Sequence, residues 1–385
     1  MGRPTARIWL IAILASLLAL PAAAPAKEGD AKKKAKTGRW ARSSETEEGG
    51  WVQPDYFVDE RTAKRLLVAT EALTAEDYDK ADGALDRLRM RNLNPLEKSK
   101  VYTMRAYIEN GRENTAGARE FLAKAIAEKV LSPEDTARLR LQIAQLWFQD
   151  SNWTEGAKSL EYWFTVAPDP QPAHYYLLAL AYYQLEDYEK ALVPAQQTLA
   201  LSEKPREGWL QLVLSLRLTL KQYKEAIPIL EELVVRFPKK NYWLSLSTVH
   251  GAVGNYEEAL VPLQLAYTQG LLTKGSELER LARLMLFLDL PYRSARVLQQ
   301  VLDDGTIESE SDSWETLSNS WIGAREYKKA AGPLERAAEL AEDGRLYVRL
   351  AQVHIQREDW SDAQRALRLG IDKGLEQPGE AYLLM

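Results

Sequence analysis

The sequence predicts an all-α protein, a right-handed α-solenoid of stacked helix–turn–helix repeats. Three observations predict it. A short pattern recurs about every 35 residues, each copy follows a stretch of helical apolar periodicity, and Pro or Gly breaks the chain before the next copy.

The chain of 385 residues opens with Arg3 and Arg7, an apolar run from Ile8 to Leu20, and then Pro-Ala-Ala-Ala-Pro-Ala at 21 to 26. A basic start, a short apolar core and a small-residue site are the parts of a secretory signal peptide, with cleavage expected after Ala26. The core is 13 residues long, too short for the roughly 20 that span a bilayer. No transmembrane segment is therefore expected in the mature form. The shape of the leader is bacterial and places the chain in the periplasm. Residues 27 to 50 place lysines first and acids last, with almost no apolar side chains. Such a segment buries no core and reads as a disordered charged linker.

Residues 51 to 385 carry the repeat, about nine copies and an incomplete final one. The pattern is a polar or capping residue, an aromatic, two mostly polar residues and a small residue. It reads Asp77-Tyr78…Ala81, Asn152-Trp153…Gly156, Asp187-Tyr188…Ala191, Gln222-Tyr223…Ala226, Asn255-Tyr256…Ala259, Pro291-Tyr292…Ala295, Glu326-Tyr327…Ala330 and Asp359-Trp360…Ala363. A degenerate copy, Asn114-Thr115…Ala118, fills the one gap. The small residues are spaced 37, 38, 35, 35, 33, 36, 35 and 33 apart. The capping residue opens a second helix, and the small residue lets it approach the first. Each pair exposes an apolar face that only a neighbouring pair can bury.

This pattern resembles the tetratricopeptide repeat. In LLALAYYQLEDYEKAL the small first-helix residue matches Ala179, the aromatic Tyr182 and the second-helix alanine Ala191. The resemblance covers residues 60 to 385. It implies a non-enzymatic scaffold that binds a protein or peptide partner. The chain departs from the pattern at Pro194, Pro228, Pro262 and Pro333, where kinks are expected inside second helices. Ala381 to Met385 reads as the start of another first helix, so a fragment or a disordered end is expected there.

The chemistry of the chain excludes several function classes. It has no cysteine, which rules out disulfides, thiol catalysis and thiolate zinc sites. A formal charge of -5 makes it a poor nucleic-acid binder. No phosphate-binding glycine loop, metalloprotease helix or nucleophile elbow is present. The three histidines, His174, His250 and His354, lie in different repeats and read as surface or packing residues. Glu308, Glu310, Asp312 and Glu315 lack the glycine of a calcium loop and read as a solvated junction. No catalytic residue, cofactor or metal is expected.

A helix-pair solenoid presents a concave surface. The resemblance places ligand contacts on the first helices, 8, 11, 15 and 18 residues before each small residue. That count selects Gln145, Phe148, Tyr176, Tyr183, Gln211, Asn241, Leu244, Arg280, Phe287, Glu315 and Asn319. Aromatics and amides with few charges suit an extended peptide or a partner helix. Trp209, Trp243, Trp314 and Trp321 read as core between repeats.

Five strings, LNPLEKSKVYTMRAYI, KPREGWLQLVLSL, FPKKNYW, AYTQGLL and LDLPYRSARVLQQVLDDGTIE, span residues 93 to 308. They are similar to secreted bacterial repeat proteins that accompany TonB–ExbB–ExbD-type systems. That resemblance implies an accessory role in TonB-dependent outer-membrane transport, with those components as candidate partners. An adaptor in outer-membrane or cell-wall assembly is the alternative.

The repeat register makes a stability prediction. A large side chain at Ala191 or Ala259 forces two helices apart and is expected to cost about 1–3 kcal/mol. His250→Ala is expected to cost far less. Chemical denaturation measures both, and equal losses would refute the register.

Overall fold

In a computed structural model, the chain is described over residues 56–307, 310–375 and 378–385. The expected signal peptide (1–26) and linker (27–50) lie outside the described residues. The described residues are helical and contain no strand. They divide after Pro205 into two compact units.

The first unit holds four antiparallel helix pairs: α1 (Glu60–Thr74) with α2 (Tyr78–Asp86), α3 (Pro95–Gly111) with α4 (Thr115–Ala127), α5 (Pro133–Gln149) with α6 (Trp153–Val166), and α7 (Pro172–Gln184) with α8 (Tyr188–Ala200). The second holds five: α9 (Glu207–Thr219) with α10 (Tyr223–Arg236), α11 (Lys240–Ala252) with α12 (Tyr256–Thr268), α13 (Gly275–Phe287) with α14 (Pro291–Asp303), α15 (Ser311–Gly323) with α16 (Tyr327–Leu340), and α17 (Arg345–Gln356) with α18 (Trp360–Asp372). A short helix, α19 (Pro378–Leu384), follows, with Ala381 fully buried. Within each unit every second helix except α8 packs on both its own first helix and the next one. Each unit is thus an all-α solenoid.

One turn builds all nine pairs. The first helix ends with a residue of positive φ: Glu76, Glu113, Ser151, Glu186, Lys221, Gly254, Asp289, Arg325 or Glu358. Its N–H bonds back to the third residue before it, and the following N–H reaches five residues back, as in Glu76 N to Leu73 O and Asp77 N to Ala72 O. This is a Schellman closure. The next residue is the N-cap of the second helix, so one closure and one cap share a single junction. Asp77, Asn114, Asn152 and Asp187 accept from the third backbone N–H of their helices at 3.0, 3.0, 3.2 and 3.3 Å. Gln222, Asn255, Leu290, Glu326 and Asp359 stand at the same position without such a bond.

The small residue four places after the cap is buried in each pair. Ala81, Ala191, Ala226 and Ala330 are fully enclosed. The seventh pair corrects the sequence register: its N-cap is Leu290, Pro291 is the first helical residue, and Ser294 takes the position expected of Ala295. The buried Ser294 hydroxyl lies 2.9 Å from that of Ser320 on α15. The same logic recurs fifteen residues before the cap, where Ser99 and Ser311 donate to Ala125 O and Ala337 O at 3.0 and 2.9 Å. A hydroxyl there satisfies itself on the partner helix without disturbing close packing.

Pro194, Pro228, Pro262 and Pro333 each lie inside an uninterrupted second helix. Trp321 is core, while Trp243 and Trp314 are partly buried against the same apolar cluster. His250 is also buried, so truncating it leaves a cavity and narrows the contrast with Ala191 and Ala259. In the last pair Gly344 approaches the backbone of α18 so closely that a Cβ would stand 1.9 Å from Gly370 O.

Gly254 is the one glycine among the nine left-handed turn residues, with φ of 82° and open space around its missing Cβ. Gly254→Ala therefore adds backbone strain and no clash. It is expected to lower stability by about 1 kcal/mol, read as a fall in melting midpoint with unchanged helical circular dichroism.

Candidate functional site

First helices in the second unit face one another through polar side chains about one repeat apart. Glu207, at the start of α9, accepts from Lys239 Nζ at 2.6 and 2.8 Å and from the Tyr242 hydroxyl. Lys240 pairs with Glu277 at 3.0 Å. Arg280 donates to Ser247 Oγ at 3.2 Å, and Ser313 donates to Glu279 at 2.6 Å. Arg349 of α17 donates to both Glu315 and Asn319 of α15. Each tie joins a first helix to the next, so the polar face is laced along its length.

Between α13 and α15, which touch directly, lies an open groove of ≈ 530 Å³ lined by Arg283, Leu286, Phe287, Asp312, Glu315, Thr316 and Asn319. Phe287 is 66% exposed and meets Tyr256 edge-on at 4.9 Å. Arg283 and Asp312 are exposed and join no ion pair among the described residues. Glu315 and Asn319 are half-buried and held by Arg349. The groove thus offers a free cation, a free carboxylate and an aromatic face. It contains no histidine, and its acids and hydroxyl do not form a nucleophile–base pair.

The structure brings Phe287, Glu315 and Asn319 together there. Leu244 is half-buried against the core cluster of the second unit. Gln211 is tied to Tyr242 and Glu207, and Arg280 to Ser247. Asn241 is exposed on α11, and Gln145 is half-buried on α5. Tyr176 and Tyr183 are half-buried on α7, Tyr183 edge-on to Tyr188 at 5.5 Å. Burial raises the Tyr176 hydroxyl above its ordinary pKa.

Phe148 is a correction. It is 1% exposed, stacks on Trp153 at 5.6 Å, and presses on Gly156, where a Cβ would stand 2.3 Å from its ring. It belongs to the core and offers no surface to a ligand. Arg283, Leu286 and Asp312 were missed, although the sequence held the signal. Counted from Ser294 instead of Ala295, the 8- and 11-residue offsets land on Leu286 and Arg283, and the 18-residue offset from Ala330 lands on Asp312.

No protein-family model and no curated protein matches the chain. Among solved structures, it is similar to a tetratricopeptide repeat protein from Parabacteroides merdae, at 16% identity and a TM-score of 0.36, covering 67% of this chain and 99% of that one. It is similar to the C-terminal part of a repeat-containing protein from Cytophaga hutchinsonii, at 13% identity and a TM-score of 0.40, covering 64% and 99%. It is also similar to PilW, a type IV pilus biogenesis factor, at 14% identity and a TM-score of 0.34, covering 55% and 94%. No helix among the described residues is long and apolar enough to cross a membrane.

The Lys239 ammonium and then the Tyr242 hydroxyl hold Glu207 below its ordinary value near 4.5. Burial, then Glu207, pushes Tyr242 up to about 12. A carboxylate with a lowered folded pKa contributes stability that is present above its unfolded value and lost as pH falls through the folded one. Glu207→Gln is therefore expected to flatten the acid side of the pH–stability curve below about 4.5 and leave its neutral shape unchanged. Urea midpoints across the acid range measure this.

Proposed function

We propose that this protein is a non-enzymatic interaction scaffold whose first-helix face, centred on the α13–α15 groove, binds an extended segment of a protein partner. The observation that carries the reading is the composition of the groove. Phe287 lies exposed beside two charges, Arg283 and Asp312, that the fold leaves unpaired among the described residues. An exposed aromatic supplies apolar contact area, and unpaired charges set register against complementary charges on a peptide.

We infer a periplasmic location from the basic, apolar and small-residue leader. We infer a role beside TonB–ExbB–ExbD-type components in outer-membrane transport from the five strings between residues 93 and 308. An adaptor in outer-membrane or cell-wall assembly is the second reading, favoured by the same leader and groove.

In-cell crosslinking of the chain tagged after residue 26, followed by mass spectrometry, tests these readings. TonB, ExbB or ExbD homologues among the products support the transport role. Insertion machinery or wall synthases move the assignment to the assembly adaptor. Phe287→Ala and Arg283→Glu are each expected to lower recovery of the partner at least tenfold with the fold intact. Full recovery in both variants would remove the groove from the binding site.

A further inference from the structure

The turn joining α17 to α18 carries a cluster that the groove does not use. Asp359 is the N-cap of α18, yet its carboxylate makes no capping bond, whereas Asp77 and Asp187 cap their helices from the same position. Its Oδ2 instead lies 3.8 Å from His354 Nδ1 and 2.9 Å from Arg357 Nη2. His354 is 8% exposed, and its Nδ1 is buried without a hydrogen-bond partner among the described residues. Asp362 sits three residues further along α18. One ligand atom from each of His354, Asp359 and Asp362 falls within a span of 4.8 Å.

A buried imidazole nitrogen with no partner is costly to keep, and here it lies beside the Asp359 carboxylate. We propose that His354, Asp359 and Asp362 form a site for a divalent transition-metal ion, zinc above all. The chemistry selects the ion. Calcium and magnesium favour all-oxygen shells, whereas zinc takes imidazole nitrogen and carboxylate oxygen at about 2.0–2.2 Å in tetrahedral geometry. Tetrahedral ligands at that radius stand about 3.3 Å apart, so the two carboxylates move inwards by rotation about their own side-chain bonds. A fourth position is left for water.

Arg357 and Arg365 hold the carboxylates of Asp359 and Asp362 at 2.9 and 3.1 Å. Their charges compete with an ion, and both guanidinium groups must swing away when it binds. The bound ion would clamp the last turn of α17 to the first turn of α18 across the left-handed residue Glu358.

The fold supplies an internal control. His250 stands at the same register on α11, five residues before its N-cap, and it too is buried with an unpartnered Nδ1. There the cap is the neutral Asn255, and the described residues around it form no cluster of metal-ligating groups. His250 is therefore expected to bind no ion.

Calorimetric titration of the chelator-treated full chain with zinc chloride tests the site. One ion per chain is expected, with cobalt(II) giving visible absorption bands of a tetrahedral site. Asp362→Asn, at a half-buried position on α18, should weaken zinc at least tenfold, and His354→Ala should abolish it. Arg357→Gln should tighten it, and His250→Ala should leave it unchanged. Absence of zinc binding in the parent chain overturns the proposal. So does undiminished binding in Asp362→Asn, or a loss in His250→Ala that matches the loss in His354→Ala.

Discussion

The structure depends on one junction, where the closure of a first helix is also the cap of a second. The left-handed residue reverses the chain, and its successor both completes the Schellman bonds and opens the next helix. No residue is left between closure and cap, so the same turn joins the two helices of every pair. The small residue four places on is then buried in every pair. Eight of the nine left-handed residues have a Cβ, and that conformation costs about 1 kcal/mol for each. Local preference alone would not hold such turns. Burial between neighbouring pairs supplies what the turn lacks, which is why the pairs occur as stacks.

The junction is also what made the fold legible. A cap, an aromatic and a small residue at a spacing near 35 betray helix pairs, because their roles are local and their chemistry is narrow. The seventh pair shows where that signal fails. Pro291-Tyr292 imitates a cap and an aromatic, but proline is the first helical residue there and the apolar Leu290 stands at the cap. A slip of one residue turns the helix face by about 100°. It put Phe287 in place of Leu286 and Leu284 in place of Arg283, and so hid two of the three groove residues on α13. Phe148 failed for another reason. Its anchor is Gly156 where most pairs have alanine, and the space of the missing methyl is filled by the Phe148 ring. A glycine at the anchor predicts a large buried side chain eight residues before it, a rule the chain states only once.

The polar ties between first helices were not legible at all. Glu207 with Lys239, Arg280 with Ser247, and Arg349 with Glu315 and Asn319 join residues 30 to 34 apart in sequence. Arg280, Glu315 and Asn319, taken alone, read as residues reserved for a ligand. Only the packing of one first helix against the next shows that many of these groups satisfy one another.

That sharing bears on how the groove can bind. Glu315 and Asn319 are held by Arg349, while Arg283 and Asp312 are not held by any charge among the described residues. A partly exposed ion pair contributes at most about 1 kcal/mol, so an incoming peptide charge can take Arg349 from Glu315 with little loss to the fold. The free charges give first attraction at no cost in broken bonds. The tied ones then exchange an internal partner for an external one. A face laced in this way discriminates by geometry as well as by charge, because a ligand that breaks the Arg349 ties without replacing both of them leaves Glu315 or Asn319 half-buried and unsatisfied.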